Sequence, residues 1–165
     1  AKGEEYIEKI LGGQKKAVIL RTSWLMGGAS KNFAINMLNL HSQKKVINVV
    51  ADQIGCPTST KTLAKACWSL INKKENKFHL PNILHWCDAG VASWYDLAVA
   101  VGEIGEELKL ISKKAKVKPI STEEYPTLAK RPSFSLLNSR SEHEILDIEH
   151  QHWSETLREI LNNCS

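Results

Sequence analysis

The residues that directly follow the first apolar run of the chain carry side chains suited to sugar recognition. The run Ala17–Leu20 is short and continuous, which is typical of a strand buried on both faces in a parallel sheet. Thr22 and Ser23 then offer hydroxyls that can orient a sugar, and Trp24 offers a flat apolar face with one N–H donor. Ligands of open α/β sheets bind outside the carboxyl ends of strands, where these residues fall. The spacing alone also fits Trp24 as a core aromatic residue.

Asn32 is a second candidate, because it stands at the predicted start of a helix after a glycine-containing loop, residues 27–30. Its side chain, or that of Ser30, can cap the helix. A functional interpretation is that Asn32 and the helix N-terminus contact a diphosphate, since helix N-termini favour anions. Both interpretations stay open on the sequence.

Two further segments have the composition of structured loops. In Asp52–Thr58, Gly55 permits an unusual backbone angle and Pro57 fixes one. Tyr125–Pro132 holds Arg131 next to a proline, and the forked guanidinium of arginine matches phosphate oxygens. Arg131 is therefore a candidate diphosphate ligand, the alternative being a surface arginine paired with a nearby glutamate.

Taken in order, these motifs resemble the C-terminal half of the dTDP-4-dehydrorhamnose reductase family, NADPH-dependent enzymes among the extended short-chain dehydrogenases/reductases. R-T-S-W begins at Arg21, and D-Q-x-G-x-P-T from Asp52 is matched at every fixed position. Y-P-T-P-A-x-R-P from Tyr125 is matched except that Leu128 replaces the usual proline. The resemblance covers nearly the whole chain and implies that Trp24 lies against the substrate sugar. The residues that it and the chemistry above assign to substrate binding are Thr22, Ser23, Trp24, Asn32, Gln53 and Arg131.

The resemblance implies NADPH as the cofactor of the intact enzyme, but we expect none for this chain alone. The sequence has no glycine-rich turn of the kind that seats a pyrophosphate, and Gly102 and Gly105 fall within a predicted helix. The family's catalytic tyrosine and the lysine four residues later would lie upstream of Ala1 when Gly3-Glu4 is aligned with the family's G-E. We therefore predict no catalytic residue here and an isolated chain without activity.

The predicted fold is α/β, the C-terminal part of a Rossmann-type reductase: its last parallel strands plus a small mixed α/β substrate domain. Residues 1–165 are expected to form a single α/β unit. Apolar periodicity and turn residues predict helices over 2–10 (ended by Gly12-Gly13), 32–41, 62–72, 94–108 and 153–161. Strands are predicted over 17–20, 46–50, 83–87, 117–120 and 136–138. Loops are predicted over 73–81 and 121–133. Ser93 is expected to cap the fourth helix, followed by core aromatics.

The composition and charge of the chain indicate which partners, metal sites and cellular locations are expected. The formal net charge is +4, with no basic stripe interleaved with aromatics, so nucleic-acid binding is not expected. No apolar run is long enough to span a bilayer, and the start is polar, so we expect neither a membrane segment nor a secretory signal in this sequence. Four cysteines without C-x-x-C spacing predict reduced thiols in a cytoplasm. His150-Gln151-His152 lacks a third ligand, so no metal site is predicted.

Three functions remain open on the sequence. The first is the substrate-binding half of a dTDP-4-dehydrorhamnose reductase, binding a dTDP-sugar. The second is a non-catalytic binding or regulatory module, since the resembled family includes the regulatory subunit of methionine adenosyltransferase. The third is a scaffold for another sugar nucleotide. An open sheet edge and an uncovered apolar face would favour self-association or pairing with a separate N-terminal half.

Overall fold

The computed structural model describes residues 1–11, 17–27, 31–75 and 80–163, and the predicted α/β class with parallel strands is confirmed within them. The helices are α1 (Lys2–Leu11), α2 (Phe33–Gln43), α3 (Thr60–Glu75), α4 (Trp94–Glu107), α5 (Arg140–Leu146) and α6 (Trp153–Asn162). The strands are β1 (Ile19–Thr22), β2 (Leu25–Met26), β3 (Val46–Val50), β4 (Ile54–Gly55), β5 (Thr58–Ser59), β6 (Ile83–Trp86), β7 (Ala92–Ser93), β8 (Lys116–Ile120) and β9 (Phe134–Ser135). No described helix has the length and apolar character needed to cross a membrane.

The described strands pair mostly in parallel, in four small sheets. β1 pairs with β6 so that Thr22 lies opposite Trp86, and β3 pairs with β8 over five residues. β2 pairs with β5. In the fourth sheet, β4 lies between antiparallel β7 and parallel β9. The two-residue strands bring loops that are distant in sequence to one place, which is where the candidate site lies.

A first core forms around α4, whose apolar residues recur at helical spacing and face inward. It packs α4 against α2, α6 and β3 through Met37, Ile47, Val49, Leu97, Ala98, Val101, Ile104, Leu157 and Leu161. Gly102 lets α4 approach α2, because a Cβ at this position would lie 2.5 Å from Cε1 of His41. The His41 ring is buried there, with Nδ1 accepting from the Ala115 amide and Nε2 donating to the Ala98 carbonyl.

A second core lies between α3, β6 and α5, and contains Ala66, Leu70, Leu84, Trp86 and Leu146. Next to it, the buried carboxylate of Asp88 accepts hydrogen bonds from the Ser59 amide (2.9 Å) and from the hydroxyls of Thr62 (2.6 Å) and Thr156 (2.7 Å). These donors come from β5, α3 and α6, so Asp88 ties three elements together. A buried charge is tolerated when it is hydrogen-bonded in this way.

Several boundaries differ from the predictions. β1 continues through Arg21 and Thr22, because it pairs with β6 beyond the apolar run. The last predicted strand, 136–138, is wrong: the strand is β9, two residues earlier, and it is held by pairing with β4. α5 was not predicted, since its sequence is mostly polar. The loop predicted for 73–81 begins later, because α3 runs to Glu75, and both residues 76–79 and the predicted Gly12-Gly13 helix end lie outside the described residues.

Candidate functional site

The main cleft of the described residues has a volume of about 1270 Å³ and lies between β3, α2 and the 121–133 loop. One wall is formed by α2 and β3. The opposite rim comes from the 121–133 loop, and aromatic residues lie between the two. The lining residues are Ser23, Trp24, Phe33, Asn36, Met37, Asn39, Leu40, Lys44, Val46, Ile47, Asn48, Val49, Val50, Gln53, Trp94, Tyr125, Thr127, Arg131, Pro132 and Ser135.

Trp24 and Trp94 form the aromatic part of the cleft. Their ring centroids are 3.6 Å apart with planes inclined by 6°, so the two indoles are stacked. Phe33 contacts Trp94 at 4.6 Å in a tilted arrangement. The three rings come from the loop after β1, from the first residue of α2 and from the first residue of α4. Such clusters combine a large apolar surface with an N–H on each indole.

The second face of Trp24 is covered by Gly55. A Cβ built on Gly55 would lie 2.3 Å from Cε2 of the indole, 2.6 Å from Nε1 and 2.7 Å from Cζ2, a pattern that places it above the ring face. Glycine is therefore required at position 55 by close approach. Trp24 itself has φ of 43°, a left-handed conformation that costs a non-glycine residue about 1–2 kcal/mol. The indole is thus held between Trp94 and Gly55 on a backbone that needs support from its neighbours.

Ser23 and Trp24 are fastened to the segment after β4. Ser23 Oγ donates to the Cys56 carbonyl at 2.8 Å, and the Thr58 amide donates to the Trp24 carbonyl at 3.1 Å. The buried thiol of Cys56 lies beside that of Cys87, and each contacts the Leu137 carbonyl. Hydrogen bonding from Cys87 lowers the pKa of Cys56 to about 6, and the same contact raises the pKa of Cys87.

Gln53 is the centre of the polar part of the cleft. Its Nε2 donates to Thr122 Oγ1 at 3.1 Å, and its Oε1 accepts from Trp94 Nε1 at 3.2 Å. Thr122 in turn donates to the neighbouring carboxylate of Asp52, and these hydrogen bonds lower the pKa of Asp52. The D-Q-x-G-x-P-T segment therefore contacts both the aromatic pair and the start of the 121–133 loop.

Arg131 lines the cleft from the 121–133 loop, together with Tyr125 and Thr127. Within the described ranges, no carboxylate lies within ion-pair distance of Arg131. The alternative, a surface arginine paired with a glutamate, is therefore not observed among these residues. Its guanidinium is exposed at the rim and accessible to an anionic ligand. Lys44 adds a second positive charge on the opposite wall.

Thr22 and Asn32, which were also predicted to bind substrate, do not line the cleft, and their role stays a prediction. Asn32 caps α2: its Oδ1 accepts from the Ile35 amide, and its Nδ2 donates to the Gly27 carbonyl. Thr22 ends β1, and its buried Oγ1 has no hydrogen-bond partner in the part of the chain that the structure describes.

The first residue of the R-T-S-W motif has a different partner. Arg21 forms a two-pronged ion pair with Glu4 of α1, with Nε–Oε1 at 2.7 Å and Nη2–Oε2 at 2.9 Å. The guanidinium, assisted by the Ala1 amino group, lowers the pKa of Glu4 to about 2. Arg21 therefore connects α1 to β1 rather than lining the cleft.

Among the described residues, no cluster of three His, Cys, Asp or Glu side chains is arranged to hold a metal ion. His150 stacks on His143, with ring centroids 3.7 Å apart, and burial lowers the pKa of His150. His152 caps α6 by accepting from the Ser154 amide. The two histidines of His150-Gln151-His152 thus have separate structural roles.

Trp94 is the principal cleft residue that the sequence did not single out. The sequence predicted that Ser93 caps α4 and that core aromatics follow it. The cap is confirmed, because Ser93 and Asp96 form a capping box. Trp94 nevertheless faces the cleft and Trp24. A tryptophan directly after a helix cap, in a chain with a second tryptophan after a strand end, is the signal that could have suggested the pairing.

Comparison with known proteins gives a family model that matches the chain and several similar proteins. The family model described as RmlD substrate-binding domain matches residues 1–165. The spore coat polysaccharide biosynthesis protein SpsK of Bacillus subtilis is 39% identical over 164 residues, which is 99% of this chain and 52% of that protein. The chain spans about half the length of the curated relatives it matches.

Two crystal structures show the same fold. A dTDP-4-dehydrorhamnose reductase from Clostridium acetobutylicum is 34% identical with a TM-score of 0.80, over 98% of this chain and 52% of that chain. The dTDP-4-dehydrorhamnose reductase from Bacillus anthracis, crystallised in complex with NADP, is 30% identical with a TM-score of 0.76, over 88% of this chain and 48% of that chain.

Proposed function

The chain belongs to the RmlD substrate-binding domain family, and we propose that it is the substrate-binding part of a dTDP-4-dehydrorhamnose reductase whose cleft binds a dTDP-sugar. What supports the proposal is that the fold brings four of the six predicted substrate-binding residues to one cleft: Ser23, Trp24, Gln53 and Arg131. They come from three separate segments of the chain. Their side chains suit both the sugar and the diphosphate of a sugar nucleotide.

In this proposal Arg131 binds the diphosphate, because its planar guanidinium can donate two parallel hydrogen bonds to phosphate oxygens. Ser23 and Gln53 face the sugar hydroxyls. Both faces of the Trp24 indole are covered by Trp94 and Gly55, so the sugar packs along the edges of the aromatic pair. The expectation that Trp24 offers an open flat face to the sugar is therefore wrong, whereas contact between Trp24 and the sugar stays a prediction.

In the complete enzyme, the C4 keto group of dTDP-4-dehydro-L-rhamnose would be reduced to give dTDP-L-rhamnose, for which NADPH supplies the hydride. The glycine pair closest to a cofactor motif does not fit that cofactor. Gly102 and Gly105 lie inside α4 and pack against His41 and Leu38, so they form no loop around a pyrophosphate. We therefore assign this chain the binding and orientation of the sugar nucleotide, in a cytoplasmic setting, and no catalytic residue.

α1 is the surface at which we propose that another polypeptide segment packs. None of its ten residues is buried, and Tyr6, Ile7, Ile10 and Leu11 form an exposed apolar side. The preceding half of a complete reductase, or a second copy of this chain, would cover it. We expect association of the isolated chain in light scattering at tens of micromolar, and a monodisperse monomer would count against it.

Calorimetric titration with dTDP-rhamnose and separately with NADPH tests the function. We expect dTDP-rhamnose to bind and NADPH not to bind. Trp24→Ala should weaken sugar-nucleotide binding about tenfold or more, equivalent to ~1.4 kcal/mol. Trp68→Ala is the matched control, because Trp68 is 66% exposed on α3 outside the cleft.

Two outcomes would favour other functions. Absence of dTDP-rhamnose binding would contradict the proposal and favour a non-catalytic partner module. Equal or tighter binding of UDP- or GDP-sugars would favour a different sugar nucleotide.

A further inference from the structure

Asp52 and Thr122 form an exposed hydrogen-bonded pair next to Gln53, a residue that lines the cleft. The Thr122 amide lies 3.0 Å from each oxygen of the Asp52 carboxylate, and the Thr122 hydroxyl lies 2.6 Å from Oδ1. Neither residue is among those that line the cleft. The pair joins the D-Q-x-G-x-P-T segment to the first residues of the 121–133 loop, although the two residues are 70 positions apart.

The donor and acceptor count of this pair fixes the direction of the next hydrogen bond. An ionised carboxylate only accepts, so the single hydroxyl proton of Thr122 is committed to Asp52. The Thr122 oxygen can then only accept from its other neighbour, which is Gln53 Nε2 at 3.1 Å. The NH₂ group of Gln53 must therefore face Thr122.

The same orientation is required at the other end of the amide. The indole N–H of Trp94 only donates, and Gln53 Oε1 lies 3.2 Å from it. An inverted amide would place two donors together at Trp94. It would also place two acceptors together at Thr122, because the hydroxyl proton is given to Asp52. The hydrogen bonds of the series Trp94–Gln53–Thr122–Asp52 thus all donate in one direction, from the indole toward the carboxylate.

This arrangement leaves Gln53 with defined capacity toward a ligand. One amide N–H and one lone pair of Oε1 are not used by Thr122 or Trp94, and Gln53 lines the cleft. The bond to Gln53 also sets the rotation of the Trp94 ring, which is stacked on Trp24. A hydroxyl outside the cleft therefore acts on both the polar and the aromatic side of the site.

We propose that Thr122 is a positioning residue for the cleft: its hydroxyl holds the Gln53 amide in one orientation, presenting one donor and one acceptor to vicinal hydroxyls of a sugar, and holds Trp94 against Trp24. The identity of the ligand rests on the proposed function, whereas the orientation of Gln53 and Trp94 does not. Loss of the hydroxyl, with the side-chain volume kept, should disturb both.

The test compares Thr122→Val with Thr122→Ser in the full chain. The readout without ligand is the Nε1–H resonance of Trp94 in a ¹⁵N–¹H spectrum, assigned by its disappearance in Trp94→Phe. We expect Thr122→Val to move this resonance, because Gln53 loses its fixed orientation, and to weaken dTDP-rhamnose binding about tenfold. Thr122→Ser, which keeps the hydroxyl and loses the methyl group, should restore both the resonance and the affinity.

Asp52→Asn provides a second variant of nearly unchanged size. An asparagine amide can donate to the Thr122 oxygen, which frees the hydroxyl proton and removes the constraint on Gln53. It should move the Trp94 resonance in the same sense as Thr122→Val, while the dispersion of backbone amide resonances reports on folding.

An unmoved Trp94 resonance in both Thr122→Val and Asp52→Asn would overturn the proposal, as would a Thr122→Ser variant that behaves like Thr122→Val. If wild-type protein fails to bind dTDP-rhamnose, the proposed function fails, but the resonance of Trp94 still decides whether Thr122 positions the cleft.

Discussion

Gly55 lies directly over one face of the Trp24 indole, on the side opposite to Trp94. A methyl group at position 55 would come within 2.3 Å of the ring, far inside van der Waals contact. The ring is already stacked on Trp94 at 3.6 Å, so the indole cannot move away from Gly55 without displacing Trp94. The position of Trp24 is therefore set by two neighbours from different parts of the chain.

We predict that Gly55→Ala destabilises the protein by about 1–3 kcal/mol, the usual cost of overpacking a well-filled site. It should also change the near-ultraviolet circular dichroism, because the Trp24–Trp94 stack is displaced. Gly3→Ala is the control: a Cβ there meets nothing within 4 Å, and alanine in α1 should stabilise by about 0.5–1 kcal/mol. Equal urea midpoints for Gly55→Ala and wild type would contradict close packing of Gly55 on the Trp24 indole.

Arg131→Ala should weaken binding of dTDP-rhamnose by about 1.5–3 kcal/mol, the range of a hydrogen bond to a charged group. Arg131→Lys should recover part of this loss, because it keeps the charge without the planar fork. Lys130→Ala is the matched control, since the neighbouring lysine does not line the cleft. Calorimetric titration measures all three variants, and similar losses in Arg131→Ala and Lys130→Ala would point to net charge alone.

The Glu4–Arg21 ion pair predicts a pH dependence. The pKa of Glu4 falls from 4.5 to about 2, so the folded state favours the ionised carboxylate. The resulting stabilisation is present above pH 4.5 and is lost as the pH falls through about 2. In Arg21→Gln the pKa of Glu4 should rise toward 4.5, which a ¹³C titration of the side-chain carboxyl can follow. An unchanged titration in this variant would show that the guanidinium is not the cause.

Asp88→Ala should destabilise by about 3 kcal/mol or more, because it leaves buried donors of Ser59, Thr62 and Thr156 without their acceptor. Urea unfolding measures the loss. Glu123→Gln, a change at an exposed carboxylate, should stay within about 0.5 kcal/mol of wild type. A loss below 1 kcal/mol in Asp88→Ala, on the order of a single hydrogen bond, would contradict its role in joining three elements.

The long helices could be predicted from the sequence because apolar spacing and caps agree there. α4 begins where Ser93 was expected to cap it, and α2 begins after Asn32, one of its two cap candidates. β9 and α5 could not be placed in this way. Two residues of β9 carry no periodic signal and owe their strand geometry to pairing with β4, some 80 positions earlier.

The candidate site, like the fold, could be predicted in part from the sequence. Ser23, Trp24, Gln53 and Arg131 could be identified by residue type and motif, and they lie at one cleft. The position of Trp94 depends on tertiary packing of α4 against the loop after β1, and its place directly after a helix cap indicates this contact only indirectly. That both faces of Trp24 are covered follows from the same packing.

The 121–133 loop is attached at both ends to the same short segment. Thr122 is bound to Asp52, and the Ser133 carbonyl accepts from the amide of Ile54, only two residues further along. The intervening residues therefore form a loop whose two ends are held close together. Doubling the length of such a loop costs only about 0.6 kcal/mol of closure entropy. Insertions at the exposed tip of the loop, around Leu128, should therefore destabilise the protein little. They could change the shape of the cleft rim for larger ligands while the rest of the fold is retained.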